Sequence, residues 1–238
     1  MLVERDLDCG RLYGEKRRRL VTLASSLHDD ELRVVVPATP AWTVHDVVAH
    51  VVGIAADLNA GNFGQGDRDT WSDAQVVSRR GRSVAELARE WEAEAPQFEE
   101  GLRLLGYEIG SHYVGDLLQH TQDVHAALRR PPIEDDDALM AALDFYLDTF
   151  HRALVAAGAG ALVLSVDGEH VTVGTGAVTA TLRANRFELF RALGGRRSAA
   201  QVRALPWSGD VEPVLAHVSA YPPPASDLSD SVGVDRSS

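Results

Sequence analysis

The chain has 238 residues, a length that suits one large domain or two small ones. Its apolar fraction of 45% and charged fraction of 24% are ordinary for a folded protein, and no apolar run in the sequence reaches the length of a membrane span. The formal net charge of −12 argues against a nucleic-acid partner, which would need a basic surface. We therefore expect neither a nucleic acid nor a membrane among its partners.

The single cysteine, Cys9, excludes an intrachain disulfide and favours a reducing compartment. The N-terminus is charged from Glu4 onward and lacks the apolar segment of a signal peptide, so we expect a cytoplasmic location. The basic run Lys16–Arg19 is interpreted as a solvated helix face rather than a phosphate-binding patch. Cys9 matches no ligand motif, and we expect it to have no chemical role.

Helical patterns follow one another up to about Ala157. The predicted helices span residues 7–27, 43–60, 83–105 and 134–157, with a short additional helix at 72–78. A further helix, which contains Asp116 and His120, is predicted to end near Arg130. Thr43 with Asp46 and Ser83 with Glu86 predict capping boxes at two helix N-termini. Four main helices among these, joined by connections of short to medium length, predict an up-and-down bundle.

The pattern changes after Gly158. Residues 162–166 and 170–173 flank Asp167-Gly168, which predicts a β-hairpin, and residues 178–182 predict a third strand. A helix at 185–193 follows, closed by Gly194-Gly195, and Ser198 can cap another short helix. The predicted fold class is α+β: a four-helix bundle over residues 1–157, a small α+β domain over 158–221, and a disordered tail over 222–238.

Two segments predict helices that turn a histidine inward. One is the stretch from Thr43 to His50, and the other contains Asp116, His120 and Asp123. On a helix, residues at i, i+4 and i+7 share one face. Two imidazoles and a carboxylate can hold a divalent metal through three ligands and leave one position open, as in catalytic sites. The donor set suits zinc, nickel, iron or manganese.

The spacing leaves an ordinary alternative open. His50 and His120 could be hydrogen-bonded histidines at helix contacts, and Asp116 and Asp123 could be surface charges. We interpret Trp42, Trp91 and Trp207 as core anchors and His45, on the opposite side of its helix from His50, as exposed; these four residues are given no role in the site.

Three motifs carry a resemblance to a known family. The segment Pro37–His50 resembles the opening of the mycothiol-dependent maleylpyruvate isomerase family, which consists of DinB-like bundles with a C-terminal appendage and is common in actinobacteria. The segment Gly115–Asp123 is similar to that family's second ligand motif, and Arg191–Ser198 is similar to a motif of its C-terminal unit. Their order and spacing agree with the family, so the resemblance covers nearly the whole chain except the tail.

The resemblance implies that His50, Asp116 and His120 are the metal ligands. Asp116 stands where the best-studied members have glutamate, and it is one methylene shorter. The metal would then lie closer to that helix, be bound more weakly, or be bound through water. Asp123, one turn after His120, could accept a hydrogen bond that orients a ligand imidazole; an ordinary salt bridge is the alternative.

The resemblance also implies that an arginine of the C-terminal unit, which folds over the metal pocket in that family, takes part in the reaction. Arg196 or Arg197 could clamp a substrate carboxylate, since a guanidinium matches it bidentately, and Arg196 is the predicted catalytic residue. The alternative is that both arginines neutralise the C-terminal end of the preceding helix.

The function that the resemblance implies is an enzyme with a divalent metal, zinc in the first instance, and mycothiol as co-substrate. The thiol, deprotonated at the metal, would attack an electrophilic small molecule, in an isomerase or an S-transferase. Two alternatives remain: a non-catalytic ligand-binding or stress-response protein, and a metal-dependent hydrolase with Asp123 or Glu188 as general base. We expect a monomer or a homodimer.

Overall fold

In a computed structural model of the chain, residues 1–64, 66–133 and 136–230 are described. The helices are α1 (Cys9–Ser25), α2 (Asp29–Leu32), α3 (Val44–Asn59), α4 (Arg68–Val77), α5 (Val84–Leu104), α6 (Tyr107–Ala127), α7 (Asp136–Ala157), α8 (Arg186–Leu193), α9 (Ala199–Arg203) and α10 (Glu212–Leu215). The strands are β1 (Ala161–Val166), β2 (Glu169–Gly174), β3 (Val178–Ala184) and β4 (Trp207–Gly209). The predicted α+β class is confirmed, although α2, α10 and β4 were not predicted.

The chain divides into two compact units. The helical unit contains Asp8–Ile133, and the C-terminal unit contains Met1–Leu7 together with Glu134–Ser229. The predicted boundary at 157/158 is therefore displaced, because α7 packs against α8 and β2 and clusters with them rather than with the preceding helices.

No helix among the described residues combines the length and the apolar character needed to cross a bilayer.

Side-chain caps fix the starts of the long helices in the helical unit. The Asp8 carboxylate accepts a hydrogen bond from the Arg11 backbone at the start of α1. Both predicted capping boxes are confirmed: Thr43 and Asp46 close the first turn of α3, and Ser83 and Glu86 close the first turn of α5. Each cap satisfies backbone N–H groups that have no partner inside the helix.

The four long helices α1, α3, α5 and α6 contact one another and form a bundle, but α3 and α5 run parallel. His45 near the start of α3 lies 2.8 Å from the Arg82 carbonyl just before α5, while Asn59 at the end of α3 donates to the Glu94 carbonyl at 2.9 Å. The up-and-down prediction is wrong here, because α4 returns the chain along α3 before α5 begins. A Cβ at Gly53 would lie 2.5 Å from the Gln75 Cβ, which shows how closely α4 packs on α3.

The basic run in α1 is only partly solvated. Arg18 and Arg19 are exposed, but Lys16 and Arg17 are 1% and 4% exposed. The Arg17 guanidinium bridges carboxylates of α5, which lie 2.5 and 3.0 Å away on Glu92 and Glu99. The interpretation as a solvated face is therefore wrong for Lys16 and Arg17, because α1 also packs its basic side against a neighbour.

The C-terminal unit contains a four-stranded sheet in the order β2-β1-β3-β4. Strands β1 and β2 form the predicted hairpin, with Asp167 and Gly168 at φ values of +49° and +90°. Positive φ at both central residues is the twist that a two-residue hairpin requires. Strand β3 pairs parallel to β1 and antiparallel to β4, so β1 and β3 occupy the middle of the sheet.

The segment after Pro222 was predicted to be disordered, and the structure corrects this for residues 222–230. Asp227 accepts a hydrogen bond from the Ser198 hydroxyl, and the Gln201 amide exchanges two bonds with the Leu228 backbone, at 2.7 and 3.1 Å. These contacts tie the segment to the start of α9. Residues 231–238 of the predicted tail lie outside the described part of the chain.

Candidate metal centre

Helix α3 brings His50 into the interior of the helical unit. The capping box fixes the first turn, and the valines at 44, 47, 48 and 51 are all at most 2% exposed. His50 lies within this apolar surface and is 4% exposed. A buried imidazole loses its hydration and needs a polar partner in compensation.

Helix α6 supplies a carboxylate and an imidazole to the same place. Asp116 and His120 lie one turn apart, and an Asp116 Oδ1 lies 3.8 Å from the His120 Nε2. Asp116 retains 23% side-chain exposure, whereas His120 is nearly buried. The i, i+4 spacing predicted from the sequence is therefore realised on one face of α6.

His50, Asp116 and His120 form one group. Each offers a ligand atom, and these atoms all lie within 4.8 Å of one another. The two imidazole rings are 4.9 Å apart and nearly perpendicular, with an interplanar angle of 77°. Two nitrogen donors and one oxygen donor around a buried point fit a divalent cation such as zinc, and three ligands leave a position for a further molecule.

Asp123 lies on the other side of the His120 ring. It is fully buried, and its Oδ2 is 3.7 Å from the His120 Nδ1. The ring therefore has Asp116 beside Nε2 and Asp123 beside Nδ1. This disposition leaves Nε2 for a cation and suits Asp123 as the carboxylate that sets the orientation of the ring.

Trp42 forms a wall of the group, a position that the interpretation as a core anchor did not anticipate. Its ring lies 4.7 Å from the His50 ring and 6.2 Å from the His120 ring. The indole N–H donates to Asp73 at 3.2 Å, which fixes the orientation of the side chain. Its place in the sequence, just before the Thr43 cap, was the available signal.

Of the other two tryptophans that were interpreted as core anchors, only Trp91 matches. Trp91 is fully buried in α5, whereas Trp207 is half-buried in β4, where its indole donates to the Val202 carbonyl at 2.8 Å.

Arg196 and Arg197 lie in the C-terminal unit, between α8 and α9. Arg197 makes a bidentate ion pair with Glu188, with N–O distances of 2.6 and 2.8 Å. The Arg196 guanidinium donates to the Gly194 carbonyl at the end of α8, at 3.0 Å, as the alternative interpretation predicts. Because both Glu188 oxygens face Arg197, Glu188 is poorly placed to act as a general base.

The structure also shows the surroundings of two further titratable groups, His45 and Cys9. His45 is half-buried rather than exposed, and its Nε2 faces the Arg82 carbonyl instead of His50. Burial, with the nearby Asp8, raises the pKa of the Cys9 thiol to about 11, so this thiol stays protonated near neutral pH.

His112, one turn before Asp116, escaped notice in the sequence. Burial, with the nearby Arg68, lowers the pKa of His112 to about 4 and keeps its ring neutral.

The chain is similar to one family of known proteins. Residues 13–115 match the family model described as the mycothiol maleylpyruvate isomerase N-terminal domain. A crystal structure of the mycothiol-dependent maleylpyruvate isomerase shares 15% identity over 79% of this chain and 88% of that chain, with a TM-score of 0.50. A histidine-to-alanine mutant of that isomerase gives 14% identity, the same coverage and a TM-score of 0.49. No curated protein matches the chain.

The fold and the site define a helical bundle with a buried His/Asp/His group, followed by a small α+β unit. The resemblance to the mycothiol maleylpyruvate isomerase family is confirmed, since residues 13–115 match the model of that family's N-terminal domain. The matched segment includes His50 and ends one residue before Asp116. The assignment of Asp116 and His120 therefore depends on the geometry of α6 rather than on the matched segment.

Proposed function

We propose that this protein is a divalent-metal-dependent enzyme that uses a low-molecular-weight thiol, mycothiol, as nucleophile on an electrophilic small molecule. The observation that carries the proposal is the convergence of His50, Asp116 and His120 within 4.8 Å in the interior of the bundle. The family match over residues 13–115 supports the choice of thiol.

Each residue of the group has a distinct task in the proposal. His50 and His120 would hold the cation through neutral imidazoles, and Asp116 would hold it through a carboxylate. A bound divalent cation supplies acidity, because a coordinated thiol is deprotonated near neutral pH and becomes a nucleophile. Asp123 keeps the His120 ring in the orientation that exposes Nε2, and the fully buried position of Asp123 prevents competition by water for that role.

The half-exposed side of the group is where a small molecule would approach. Asp116 is the most exposed of the three ligands, and the Trp42 ring covers His50 and His120. An apolar wall beside an open ligand position excludes water and strengthens the polar interactions inside the site.

Arg196 and Arg197 complete the proposal as groups for substrate binding, with Arg196 as the catalytic candidate. A guanidinium can pair with a carboxylate on the electrophile and with the negative charge that develops during thiol addition. Arg197 already forms a bidentate pair with Glu188, so Arg196 is the better candidate of the two.

The direct test is thiol-dependent turnover by the purified chain loaded with zinc. Mycothiol is supplied with maleylpyruvate, which reports isomerisation, or with an alkyl halide, which reports a stable thioether product. We expect one of the two reactions to depend on both zinc and mycothiol, and we expect His120→Ala to abolish it. His45→Ala is the matched control, since His45 lies on α3 but faces Arg82, and it should retain the activity.

Two results would reject the proposal. Full activity in His120→Ala would show that the group takes no part in the reaction. Zinc binding without any thiol-dependent reaction would favour a non-catalytic binding protein instead.

A further inference from the structure

Three polar residues form a row across strands β2, β1 and β3 of the C-terminal unit. In the sheet register, Ser165 of β1 lies opposite His170 of β2 on one side and Arg183 of β3 on the other. Residues that are paired in register point to the same face of a sheet, and their chain neighbours point to the opposite face. Leu164 and Leu182, which are 0% and 1% exposed, occupy that opposite, buried face. The row of Ser165, His170 and Arg183, here called the donor row, therefore lies on the polar face of the sheet.

The hairpin brings the members of the donor row close together. Its two-residue turn makes Val166 and Glu169 a hydrogen-bonded pair, so the next pair, Ser165 and His170, is a non-hydrogen-bonded pair, in which side chains lie closest. Arg183 lies one strand away on the other side, at the usual spacing of about 4.8 Å between neighbouring strands. A hydroxyl, an imidazole and a guanidinium are thus within reach of one small ligand.

The donor row lines a cavity of about 540 Å³, a volume that suits a small molecule. Asp167 and Asn185 also line this cavity. The Asn185 side-chain oxygen accepts a hydrogen bond from the Glu188 backbone at 2.7 Å, as the cap of α8. This bond fixes the orientation of the amide, so its N–H groups are left to donate to another acceptor.

The carboxylates of the hairpin do not neutralise Arg183. Asp167 and Glu169 both face Arg186, whose guanidinium lies 3.6 Å from the Asp167 carboxylate and 4.0 Å from the Glu169 carboxylate. Within the part of the chain that the structure describes, the Arg183 guanidinium and the His170 ring have no ion-pair or hydrogen-bond partner. An ordinary solvated sheet face places opposite charges on neighbouring strands. The donor row instead contains a cation and no carboxylate, which favours an anionic ligand.

The directions of the donors distinguish among anions. A carboxylate has two oxygens in one plane, and a single guanidinium satisfies both of them. The donors of this cavity come from three strands and from Asn185, which suits a tetrahedral phosphate with oxygens in several directions. The next row on the same face supplies the hydroxyls of Thr172, Thr181 and Ser208, on β2, β3 and β4. These hydroxyls suit a ligand whose remaining part carries hydroxyl groups.

We propose that the polar face of this sheet binds a small hydroxyl-bearing phosphate ester. Arg183 pairs with two phosphate oxygens, and Ser165, His170 and Asn185 donate to the remaining ones. The proposal goes beyond the proposed function, because this site uses none of the candidate metal ligands and neither Arg196 nor Arg197.

The test follows ligand binding to the full chain by NMR. Inorganic phosphate and glucose 6-phosphate are the probes, and acetate at the same ionic strength is the planar anion for comparison. Backbone amides and the Arg183 and His170 side-chain signals report where each probe binds, and titration gives its affinity. The variants are Arg183→Gln, His170→Gln and Ser165→Ala. Arg203→Gln is the matched control, since Arg203 is an exposed arginine of the same unit and pairs with Glu212.

We expect both phosphate compounds to shift the signals of the donor row, and we expect glucose 6-phosphate to bind more tightly than acetate. Arg183→Gln should weaken the binding of glucose 6-phosphate about 10- to 100-fold, because a charged hydrogen-bonded pair is lost. His170→Gln and Ser165→Ala should cause smaller losses, and Arg203→Gln should cause none. All three residues of the donor row are exposed or half-buried, so we expect the variants to fold.

Three results would overturn the proposal. The first is the absence of shifts in the donor row with either phosphate compound. The second is an unchanged affinity for glucose 6-phosphate in Arg183→Gln. The third is equally tight binding of acetate, which would show a general attraction of anions rather than a phosphate site. None of these results depends on the metal centre, so the proposed function is tested separately.

Discussion

Helices α3 and α6 meet in two adjacent layers of opposite character. One layer contains Val44, Val47 and Val124, which are fully buried and pack with Val36. The other contains His50 and His120, with Asp116 beside them. His50 lies three residues after Val47, and His120 lies four residues before Val124, so the same pair of helices changes from apolar to polar within one turn.

The two layers make opposite contributions to folding. Burial of the valines stabilises the bundle by about 25 cal/mol for each Å² of apolar surface removed from water. Burial of two imidazoles and a carboxylate costs free energy unless each finds a polar partner. In the proposed function a bound cation compensates the polar layer, and the apolar layer beside it supplies the stability that holds the three side chains together.

The largest expected effect is the loss of metal binding on removal of a ligand from the polar layer. We expect His50→Ala to lower zinc affinity by more than the roughly 100-fold that the loss of an outer partner costs. The protein should still unfold cooperatively, because the valine layer is unchanged. Zinc competition titration and thermal unfolding followed by circular dichroism measure the two properties, and near-normal zinc affinity would refute the role of His50.

Removal of the charge behind His120 should have an intermediate effect. Asp123→Asn keeps the size of the side chain but weakens the acceptor that faces Nδ1, and we expect zinc affinity to fall about 10- to 100-fold. Asp73→Asn is the control, since Asp73 contacts Trp42 rather than a ligand. Equal affinities in the two variants would mean that Asp123 does not orient the ring.

A change in the apolar layer should produce the reverse pattern. Val124→Ala removes two methyl groups and leaves a cavity, so we expect the free energy of unfolding to fall by about 2 kcal/mol. Zinc affinity should stay at the wild-type value, because the ligands lie in the next turn. Urea unfolding of the metal-free chain measures the stability, and zinc titration measures the affinity. A fall in zinc affinity together with the free energy of unfolding would contradict the prediction.

The smallest expected effect is on stability and concerns Asp46, which lies in the first turn of α3 and precedes Val47 and His50 in the chain. Burial raises the pKa of Asp46, but hydrogen bonds from Thr43 and the Arg80 guanidinium outweigh it and hold this pKa below its usual value. A lowered pKa in the folded state stabilises the protein above the unfolded-state pKa and ceases to do so as pH falls through the folded-state pKa. Wild-type protein should therefore be more stable than Asp46→Asn at neutral pH.

That advantage should shrink as the pH falls below about 4. Urea unfolding of both proteins across this range measures it, and a difference that is independent of pH would contradict the assigned role of the Asp46 charge.

The sequence was informative wherever the signal is local. The capping residues Thr43 and Ser83 located two helix starts, and Asp167-Gly168 located the hairpin, because each depends on contacts within a few residues. The face shared by Asp116 and His120 followed from helical periodicity alone.

The remaining features depend on contacts that are distant in sequence. The parallel arrangement of α3 and α5 depends on how α4 packs against Gly53, and the burial of Arg17 depends on two carboxylates of α5. The approach of the Trp42 ring to His120 joins segments that are far apart in the chain. Hydrophobic periodicity describes which face of a helix is buried, but it does not describe the neighbour that covers it.

The central claim is that His50, Asp116 and His120 together bind a divalent cation. Elemental analysis of the full chain purified without chelator tests this claim most directly when His120→Ala is prepared in parallel. We predict a stoichiometric divalent metal in the wild-type chain and its loss in His120→Ala. Absence of metal from the wild-type chain, or equal metal content in both, would contradict the account.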